Sequence, residues 1–471
     1  MNSISPITEY FISFLCIIIS ICILILYISK KINIVECIIY AFVTQAYSIA
    51  QIGPTITTFY LVQTIIAFLE LCYLFKNRDN FKIKKIFILL FLLPIISYLF
   101  CFVDFFFKIR NHFYILGSPK SLFLTGPFFY IKTYIPFFLL ISRLSREIRF
   151  CKFSFFFEIL HKVALLSCIV GIFQYVLNLS TSNIDLKAIF GLKAAYQSDS
   201  LEKIRISAFF QEPKHFSAFL ALVIPYCGYK KKYLNVALFL LIGILTISQT
   251  FYICLICFFI SFFLFKKIQN VRLVIVYSLS ILLFLTSLIS LLKNDLIKNV
   301  YKYQDSFIYA LIIERAINRY DIDDVSENNE LLGLPLQVDL ERPVVNFLKD
   351  NGYLFIMGYG PGNGKFIPPN YFESNKMNYR YYKQLEENAP VHMNMRWIYV
   401  MAEFGVIFFC IFFWRLTSVK FYDNFSTHYY AYFWLIFFFN EIDILLIIFY
   451  FLFFTQRVKQ LTLYHNNGST T

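Results

Sequence analysis

Long, uninterrupted apolar stretches constrain this chain more than any other feature of its sequence. Four of them run for the length of a membrane-crossing helix, at residues 10–29, 86–107, 158–179 and 273–292. Roughly 20 apolar residues cross the hydrocarbon core of a bilayer as a helix, and a helix satisfies its own backbone hydrogen bonds there. Barrel strands would alternate apolar and polar residues, and these stretches do not. The sequence therefore predicts membrane-spanning helices.

Composition agrees with a chain that uses lipid as its solvent. Hydrophobic residues make up 59% of it and charged residues 15%, whereas soluble domains are about half apolar and a quarter charged. The first apolar stretch lacks a basic start and a small-residue cleavage site, so we interpret it as a retained span and not as a signal peptide.

The net charge of +14 is distributed as the positive-inside rule predicts for a membrane protein. Basic residues cluster in short connections between the apolar stretches, at residues 30–31, 76–85, 143–152, 230–232 and 266–272. These connections are expected on the cytoplasmic side, and no nucleic-acid partner is expected.

One long polar stretch, residues 293–391, has the opposite balance, with 11 Lys or Arg against 14 Asp or Glu. We therefore expect it on the outer side, as the folded extramembrane part. The predicted organisation is an N-terminal transmembrane bundle of about 10 spans over residues 1–292, this large periplasmic loop, and C-terminal spans with a basic cytoplasmic tail over residues 392–471.

The predicted fold class is all-α, a polytopic transmembrane helix bundle of about 12–13 spans with one large extracytoplasmic loop. Residues 440–443 could break the last span into two short helices. No internal repeat is visible. The spans are expected near residues 10–29, 33–51, 57–75, 86–106, 122–142, 158–178, 209–227, 233–248, 250–265, 272–292, 395–414 and 429–454.

The 11 cysteines carry no metal-ligand spacing. Most lie inside apolar stretches, where free thiols act as small buried hydrophobes. No metal and no cofactor are expected.

The first of three candidate outer-face motifs is RISAFFQEPKHF, residues 205–216. Pro213 suits the first turn of a helix, and Glu212 can cap that helix. Its free N–H groups would point outward and could bind an anion such as phosphate, with Arg205 and Lys214 adding positive charge. An ordinary capped helix start is the alternative interpretation.

The second motif is MGYGPGNG, residues 357–364. It lacks the strand-then-helix context and the Lys-Ser/Thr ending of a nucleotide-binding loop. A set of tight turns is the favoured interpretation, and a backbone that passes close to a ligand is the functional alternative.

The third motif begins at HMNMRW, residues 392–397, and leads to EFG at residues 403–405. If one helix covers both parts, His392, Arg396 and Glu403 share a face, at about 100° per residue. Ionisable groups at membrane depth are costly and usually functional. The alternative is an interfacial His and Arg at a helix end, with Glu403 bonded to a neighbouring helix.

Three other polar residues lie in or near predicted spans. Gln174 is expected to form an interhelical hydrogen bond. Lys132 is costlier to bury, so a substrate phosphate or a carboxylate partner is a plausible role for it. Glu70 lies near an inner helix end, where we expect it to be solvated.

The three motifs resemble those of the O-antigen polymerases of the Wzy type and, more distantly, of the O-antigen ligases. Residues 205–216 are similar to the polymerases' "R…F.EP..F" segment, and residues 358–362 to their glycine-rich loop. Residues 392–405 are similar to the family's "HN…E.G" pattern, with Met393 inserted. A further turn, residues 247–250, is similar to a family "SRTG" turn in which Gln249 replaces the Arg.

The resemblance implies a metal-independent membrane glycosyltransferase of the bacterial inner membrane, acting at its periplasmic face. It would polymerise undecaprenyl-pyrophosphate-linked oligosaccharide repeat units into O-antigen or capsular polysaccharide. The lipid bilayer and a chain-length regulator protein are the other implied partners. An O-antigen ligase and, from a different class, a transporter of lipid-linked sugars are the alternatives.

Each motif then receives a role. His392 is the favoured general base, since the pKa of histidine lies near the working pH. Glu212 orients a basic residue or is the alternative base, and Glu403 positions Arg396 or a neighbouring helix. Arg205 and Arg396 would hold the pyrophosphate, since Arg donates two parallel hydrogen bonds. The other predicted substrate-binding residues are Lys132, Lys214, His215 and Tyr359.

Overall fold

The computed structural model describes a helical protein. It covers residues 6–44, 56–76, 153–180, 206–210, 213–291, 341–360, 395–419 and 423–439, and shorter pieces at 95, 99, 135–136, 139–140, 142–144, 147, 330–331, 334–336, 367, 371 and 421. The all-α prediction is confirmed for these residues, apart from one antiparallel pair of two-residue strands, β1 (Glu330–Leu331) and β2 (Leu334–Pro335).

The helices follow the predicted order along the chain. They are α1 (Pro6–Ile28), α2 (Ile34–Val43), α3 (Thr58–Lys76), α4 (Phe153–Ser180), α5 (Pro213–Tyr229), α6 (Tyr233–Leu245), α7 (Gln249–Phe259) continued by a π-helical turn (Ile260–Leu264), α8 (Val271–Leu291), α9 (Glu341–Asp350), α10 (Gly352–Met357), α11 (Arg396–Thr417) and α12 (Asn424–Phe439).

Three helices in the described part of the chain are long and apolar enough to cross a membrane: Thr58–Lys76, Phe155–Val176 and Arg396–Trp414. They coincide with the predicted spans near 57–75, 158–178 and 395–414. Shorter apolar helices stand at five other predicted spans, and their full length as spans stays a prediction. The spans near 86–106, 122–142 and the end of 429–454 fall mostly outside the described residues.

The helices pack in a continuous series. Helices α1, α2 and α3 contact one another, and α2 also contacts α4. Helix α5 lies centrally, against α4, α6, α7 and α12, and α12 in turn contacts α8 and α11. Most of their buried side chains form one large apolar cluster, and a second, smaller cluster joins α9, α10 and the first turns of α11.

Helix α5 contains a proline, and its neighbour α12 compensates for it. Pro225 has no N–H, so the carbonyl of Ala221 loses its helical hydrogen bond. The hydroxyl of Tyr432 donates to that carbonyl at 2.9 Å, and Tyr429 donates to the next carbonyl, Leu222 O, at 2.8 Å. Such external donors are what allows proline inside a helix in an apolar environment.

The expectation that Glu70 is solvated is wrong. Its side chain is 1% exposed. Ser142 Oγ donates to Glu70 Oε1 at 2.9 Å, and Arg143 Nη1 lies 3.8 Å from Glu70 Oε2. Arg143 Nε also donates to Tyr27 Oη at 3.0 Å and pairs with Glu147. A buried carboxylate requires such a partner. The position of Glu70 near a basic connection in the sequence did not predict this burial.

The expectation for the cysteines is confirmed in part. The nine described cysteines are free thiols, and six of them are buried. Cys22, Cys72 and Cys410 are exposed on their helices. The apolar stretches predicted which cysteines lie in helices, but not which helix face carries them.

Candidate functional site

Two of the predicted motifs meet in the structure, the glycine-rich loop and the EFG motif. Helix α11 is interrupted at Gly405, whose φ of 84° and ψ of 160° are not helical. The interruption leaves the carbonyls of Ala402 and Glu403 without their usual helical donors. Tyr359 N donates to Ala402 O and Gly360 N donates to Glu403 O, both at 3.0 Å. We refer to this contact between residues 358–360 and 402–405 as the glycine clasp.

Both glycines at the centre of the glycine clasp are required by geometry. Gly358 has φ 79° and ψ 157°, and Gly405 adopts nearly the same angles, in a region that only glycine populates readily. A Cβ on Gly358 would lie 2.6 Å from Gly405 N, and a Cβ on Gly405 would lie 2.6 Å from the carbonyl carbon of Met357. Tight turns were the favoured prediction for this loop. They do not explain the glycines at its contact with α11, which are needed because two backbones touch.

The glycine clasp buries Tyr359 beside Glu403. Each of these residues is 1% exposed. The Tyr359 phenol is a potential hydrogen-bond donor in this buried place.

Helix α11 begins at Arg396, and Met395 is its extended N-cap residue. His392 lies outside the described residues, so its place on one helix face with Arg396 and Glu403 stays a prediction. Arg396 and Glu403 do share the helix and lie about two turns apart. The Arg396 guanidinium lies 5.2 Å from the centre of the Tyr399 ring, and its side chain is half-buried.

Sequence reasoning missed two charged residues beside this helix start. Glu341 and Arg342, in the first turn of α9, are 0% and 1% exposed. Glu341 Oε1 accepts a hydrogen bond from Met395 N at 3.0 Å, which attaches the polar stretch to the start of α11. The amphipathic pattern of α9 is visible in the sequence, whereas the burial of its first two residues depends on a partner 54 positions away.

The RISAFFQEPKHF motif forms a second buried feature. Helix α5 begins at Pro213, as predicted, but residues 206–210 before it are not helical, so the span expected from 209 begins four residues later. Ala208 has a φ of 49°. The Gln174 amide holds its backbone from both sides, since Ala208 N donates to Oε1 at 2.9 Å and Nε2 donates to Ala208 O at 3.1 Å.

This arrangement refines the role predicted for Gln174. It does join two parts of the chain by hydrogen bonds, but its partner is irregular backbone and not another helix. Gly171, one turn earlier in α4, leaves the space for this backbone, because a Cβ there would lie 2.7 Å from the Ile206 side chain.

Lys214 and His215 lie in the first turn of α5 and are both half-buried. Ser217 Oγ donates to Lys214 O at 2.8 Å. The RISAFFQEPKHF motif and the glycine clasp both border the large apolar cluster. That cluster includes Ile206 and Phe216 from the motif and Val400 and Phe404 from α11.

The remaining predicted site residues, Arg205, Glu212, His392 and Lys132, lie outside the described residues. Of the predicted turn at residues 247–250, Ile247, with a φ of 49°, and Ser248 lie between α6 and α7, whereas Gln249 and Thr250 already belong to α7. Within the part of the chain that the structure describes, no group of three or more His, Cys, Asp or Glu residues could hold a metal ion.

Fold and site together define a helical protein whose longest apolar helices have the length of membrane spans. One of these helices is interrupted and clasped by a glycine loop from the polar stretch. No protein-family model, curated protein or solved structure matches the chain.

Proposed function

We propose that this protein is a polytopic enzyme of the bacterial inner membrane that polymerises lipid-linked oligosaccharide repeat units at the periplasmic face. The product would be O-antigen or capsular polysaccharide. The proposal includes the full bundle of about 12–13 spans with its large periplasmic loop, of which the described helices provide a part.

The observation that supports it best is the glycine clasp. Two of the three motifs that resemble the polymerase pattern are separated by more than 40 residues, yet they share two backbone hydrogen bonds and bury Tyr359 beside Glu403. Arg396 stands two turns earlier on the same helix. The permanent cation at the start of this helix matches what transfer from a pyrophosphate requires, because negative charge develops on the leaving group.

In the proposed reaction, a sugar hydroxyl of the incoming repeat unit attacks the anomeric carbon of the growing glycan. The bond between that carbon and the pyrophosphate oxygen breaks, and undecaprenyl pyrophosphate leaves with the electron pair. His392 accepts the proton of the attacking hydroxyl. Arg205 and Arg396 stabilise the negative charge that develops on the leaving group.

Tyr359 and Glu403 have positioning roles in this scheme. Glu403 places a carboxyl group on the helix that begins with Arg396, and Tyr359 offers a hydroxyl beside it. Lys214 and His215, at the start of α5, would contribute to binding the phosphates, and Glu212 and Lys132 keep the roles that the sequence suggests for them.

The two ends of α11 support opposite sides for the acidic stretch and the basic connections. Its first turn is attached to the polar stretch through Glu341. At its last turn, Arg272 from a basic connection donates to Ser418 Oγ at 2.8 Å and to Trp414 O at 3.4 Å. A helix that spans the bilayer between these contacts would separate the two faces.

Deleting the gene and analysing the surface glycan by gel electrophoresis tests the proposal. Loss of polymerisation leaves single repeat units attached to their acceptor. Long polymer that stays unattached would indicate a ligase instead, and intact repeat units trapped inside the cell would indicate a transporter.

Complementation with single variants then tests the site. Arg396→Ala should reduce polymerisation about 100-fold, since it removes a cation from the leaving group, and Lys267→Ala, on an exposed residue of a basic connection, is the control for charge. If Arg396→Ala is inserted at the normal level and still makes full ladders, Arg396 has no part in the mechanism.

A further inference from the structure

Part of the polar stretch reaches the level of the middle of a candidate span. The 19-residue apolar segment of α11 runs from Arg396 to Trp414, so Gly405 is its central residue. Gly358 touches Gly405 backbone to backbone. The tip of the glycine loop therefore lies beside the centre of α11, well beyond its end.

The segment that leads to this position starts at the end of α9. The descending limb begins after Asp350, an exposed residue at the end of α9. Tyr371, later in the chain, donates its hydroxyl to Asp350 Oδ2 at 2.9 Å and packs edge-on against Phe347 with ring centres 5.5 Å apart. The end of α9, where the segment begins, is therefore attached to a residue that follows the segment in the sequence.

The descending limb has the composition that a membrane requires. No charged residue occurs between Asp350 and Lys365. The N–H groups at its end bond to protein, because Gly358 N donates to Leu354 O at 2.7 Å and Tyr359 N and Gly360 N donate to α11 in the glycine clasp. Non-helical backbone is tolerated at membrane depth only where protein covers it, and residues 358–360 are all buried.

Two large apolar side chains on α10 are nevertheless exposed. Phe355 is 37% and Ile356 is 45% exposed, one turn above the glycine clasp. At a similar depth α11 exposes Ile407 to 50%. On a helix that crosses a bilayer, an exposed apolar residue of this kind faces acyl chains.

We infer that residues 351–360 form a re-entrant segment that enters the membrane beside α11, and that Phe355 and Ile356 contact the acyl chains of the bilayer. The sequence analysis assigned all of residues 293–391 to an extramembrane loop. The inference removes residues 351–360 from that loop and places them in the membrane. The inference depends on α11 crossing the bilayer and is independent of the glycan polymerase proposal.

Site-directed spin labelling tests the depth of the segment. Single cysteines at Phe355→Cys and Ile356→Cys are introduced after the 11 native cysteines are replaced. The protein is reconstituted in vesicles of phosphatidylethanolamine and phosphatidylglycerol. Ile407→Cys serves as the lipid-facing reference, and Lys349→Cys, on the exposed end of α9, as the aqueous reference.

Collision rates with oxygen and with a water-soluble nickel chelate decide the outcome. If the inference is correct, both labels collide with oxygen as often as the Ile407→Cys label does and lose their collisions with the chelate. Chelate collisions equal to those of Lys349→Cys would overturn it, since the segment would then face water. Protection from both reagents would also overturn it, since protein would then cover the segment.

A second measurement uses the unmodified chain, in case the cysteine-free variant does not fold. A lipid-soluble diazirine is photolysed in the same vesicles, and labelled peptides are mapped by mass spectrometry. Label on the peptide with Phe355 and Ile356, as on the peptide with Ile407, supports the inference. Label on the Ile407 peptide without label on the α10 peptide contradicts it.

Discussion

Helices α5 and α11 are both interrupted, and their carbonyls are satisfied in different ways. In α5, Pro225 removes one backbone donor, and a tyrosine hydroxyl from α12 replaces it while the helix continues. In α11, Gly405 takes the chain out of helical geometry, and backbone N–H groups of the glycine loop bind the freed carbonyls.

The difference lies in how closely the partner must approach. The tyrosine side chains of α12 extend to the carbonyls of α5, so the two helix backbones do not need to touch. Backbone-to-backbone bonding requires the two chains to touch, and side chains larger than hydrogen prevent it at Gly358 and Gly405. The break in α5 therefore affects only how α5 packs against α12. The break in α11 determines where the glycine loop of the polar stretch contacts this helix.

The largest effect is expected from Gly405→Ala. A Cβ there collides with the backbone at Met357, and alanine does not adopt the φ and ψ of this position. Strain and overpacking together should lower the free energy of unfolding by about 3 to 5 kcal/mol. Thermal unfolding of the purified protein in detergent, followed by intrinsic fluorescence, measures the change.

Gly228→Ala is the matched control, because a Cβ at that helical glycine meets nothing within 4 Å. It should leave the unfolding temperature unchanged or slightly higher. Equal stability of the Gly405→Ala and Gly228→Ala variants would mean that the glycine clasp does not exist in the folded protein.

The sequence predicted the local features of these regions better than their contacts. The apolar stretch near 158–178 and the start of α5 at Pro213 were predicted correctly, because helix length and proline position depend on neighbouring residues. The break at Gly405 was not predicted, because a single glycine in an apolar helix is common and its partner lies 47 positions earlier.

Charged residues in the polar stretch show the same limit. Glu341 was counted only in the charge balance of the polar stretch, yet it is buried and accepts a hydrogen bond from Met395 N. Glu70 was expected in water, yet it is buried and accepts a hydrogen bond from Ser142. In both cases burial depends on which distant residues cover the carboxylate, and no local pattern records that.

A second effect is expected where a side chain supports irregular backbone, at Gln174. Gln174→Leu keeps the size of the side chain and removes both hydrogen bonds to Ala208. Two buried backbone groups lose their partner, so we expect a loss of about 1 to 3 kcal/mol in unfolding free energy. Gln269→Leu, on an exposed residue, is the control. A loss equal to that of the control would show that the Ala208 backbone does not need this support.

The third prediction concerns the Tyr432 hydroxyl, and a double-mutant cycle tests whether it replaces the backbone donor that Pro225 lacks in α5. Tyr432→Phe removes the donor to Ala221 O, whereas Pro225→Ala restores the helical donor to the same carbonyl. Tyr432→Phe should therefore cost less in the Pro225→Ala background, by about 1 kcal/mol, which is the size of hydrogen bonds measured between membrane helices.

Urea unfolding in mixed micelles gives the four free energies of this cycle. Tyr229→Phe removes a hydroxyl from a tyrosine that is 60% exposed, and it should not couple to Pro225→Ala. Strictly additive effects of Tyr432→Phe and Pro225→Ala would show that the Tyr432 hydroxyl does not replace the donor that proline lacks.

The smallest effect is expected at the far end of α11, below the break. The Arg272 guanidinium lies 3.6 Å from the centre of the Trp414 ring and donates to Ser418 Oγ. Arg272→Lys keeps the charge near the helix C-terminus but loses the planar stacking and the second donor, for an expected loss of about 0.5 to 1 kcal/mol. Lys267→Ala, on an exposed residue of the same connection, is the control.

The glycine clasp holds the two halves of α11 separately, so Arg272→Lys should alter Trp414 fluorescence without affecting the clasp. The solvent protection of the Tyr359 and Gly360 amides, measured by hydrogen exchange, should stay as in the unmodified protein. Faster exchange of those two amides in Arg272→Lys would show that the two halves respond as one helix and that the break at Gly405 does not separate them.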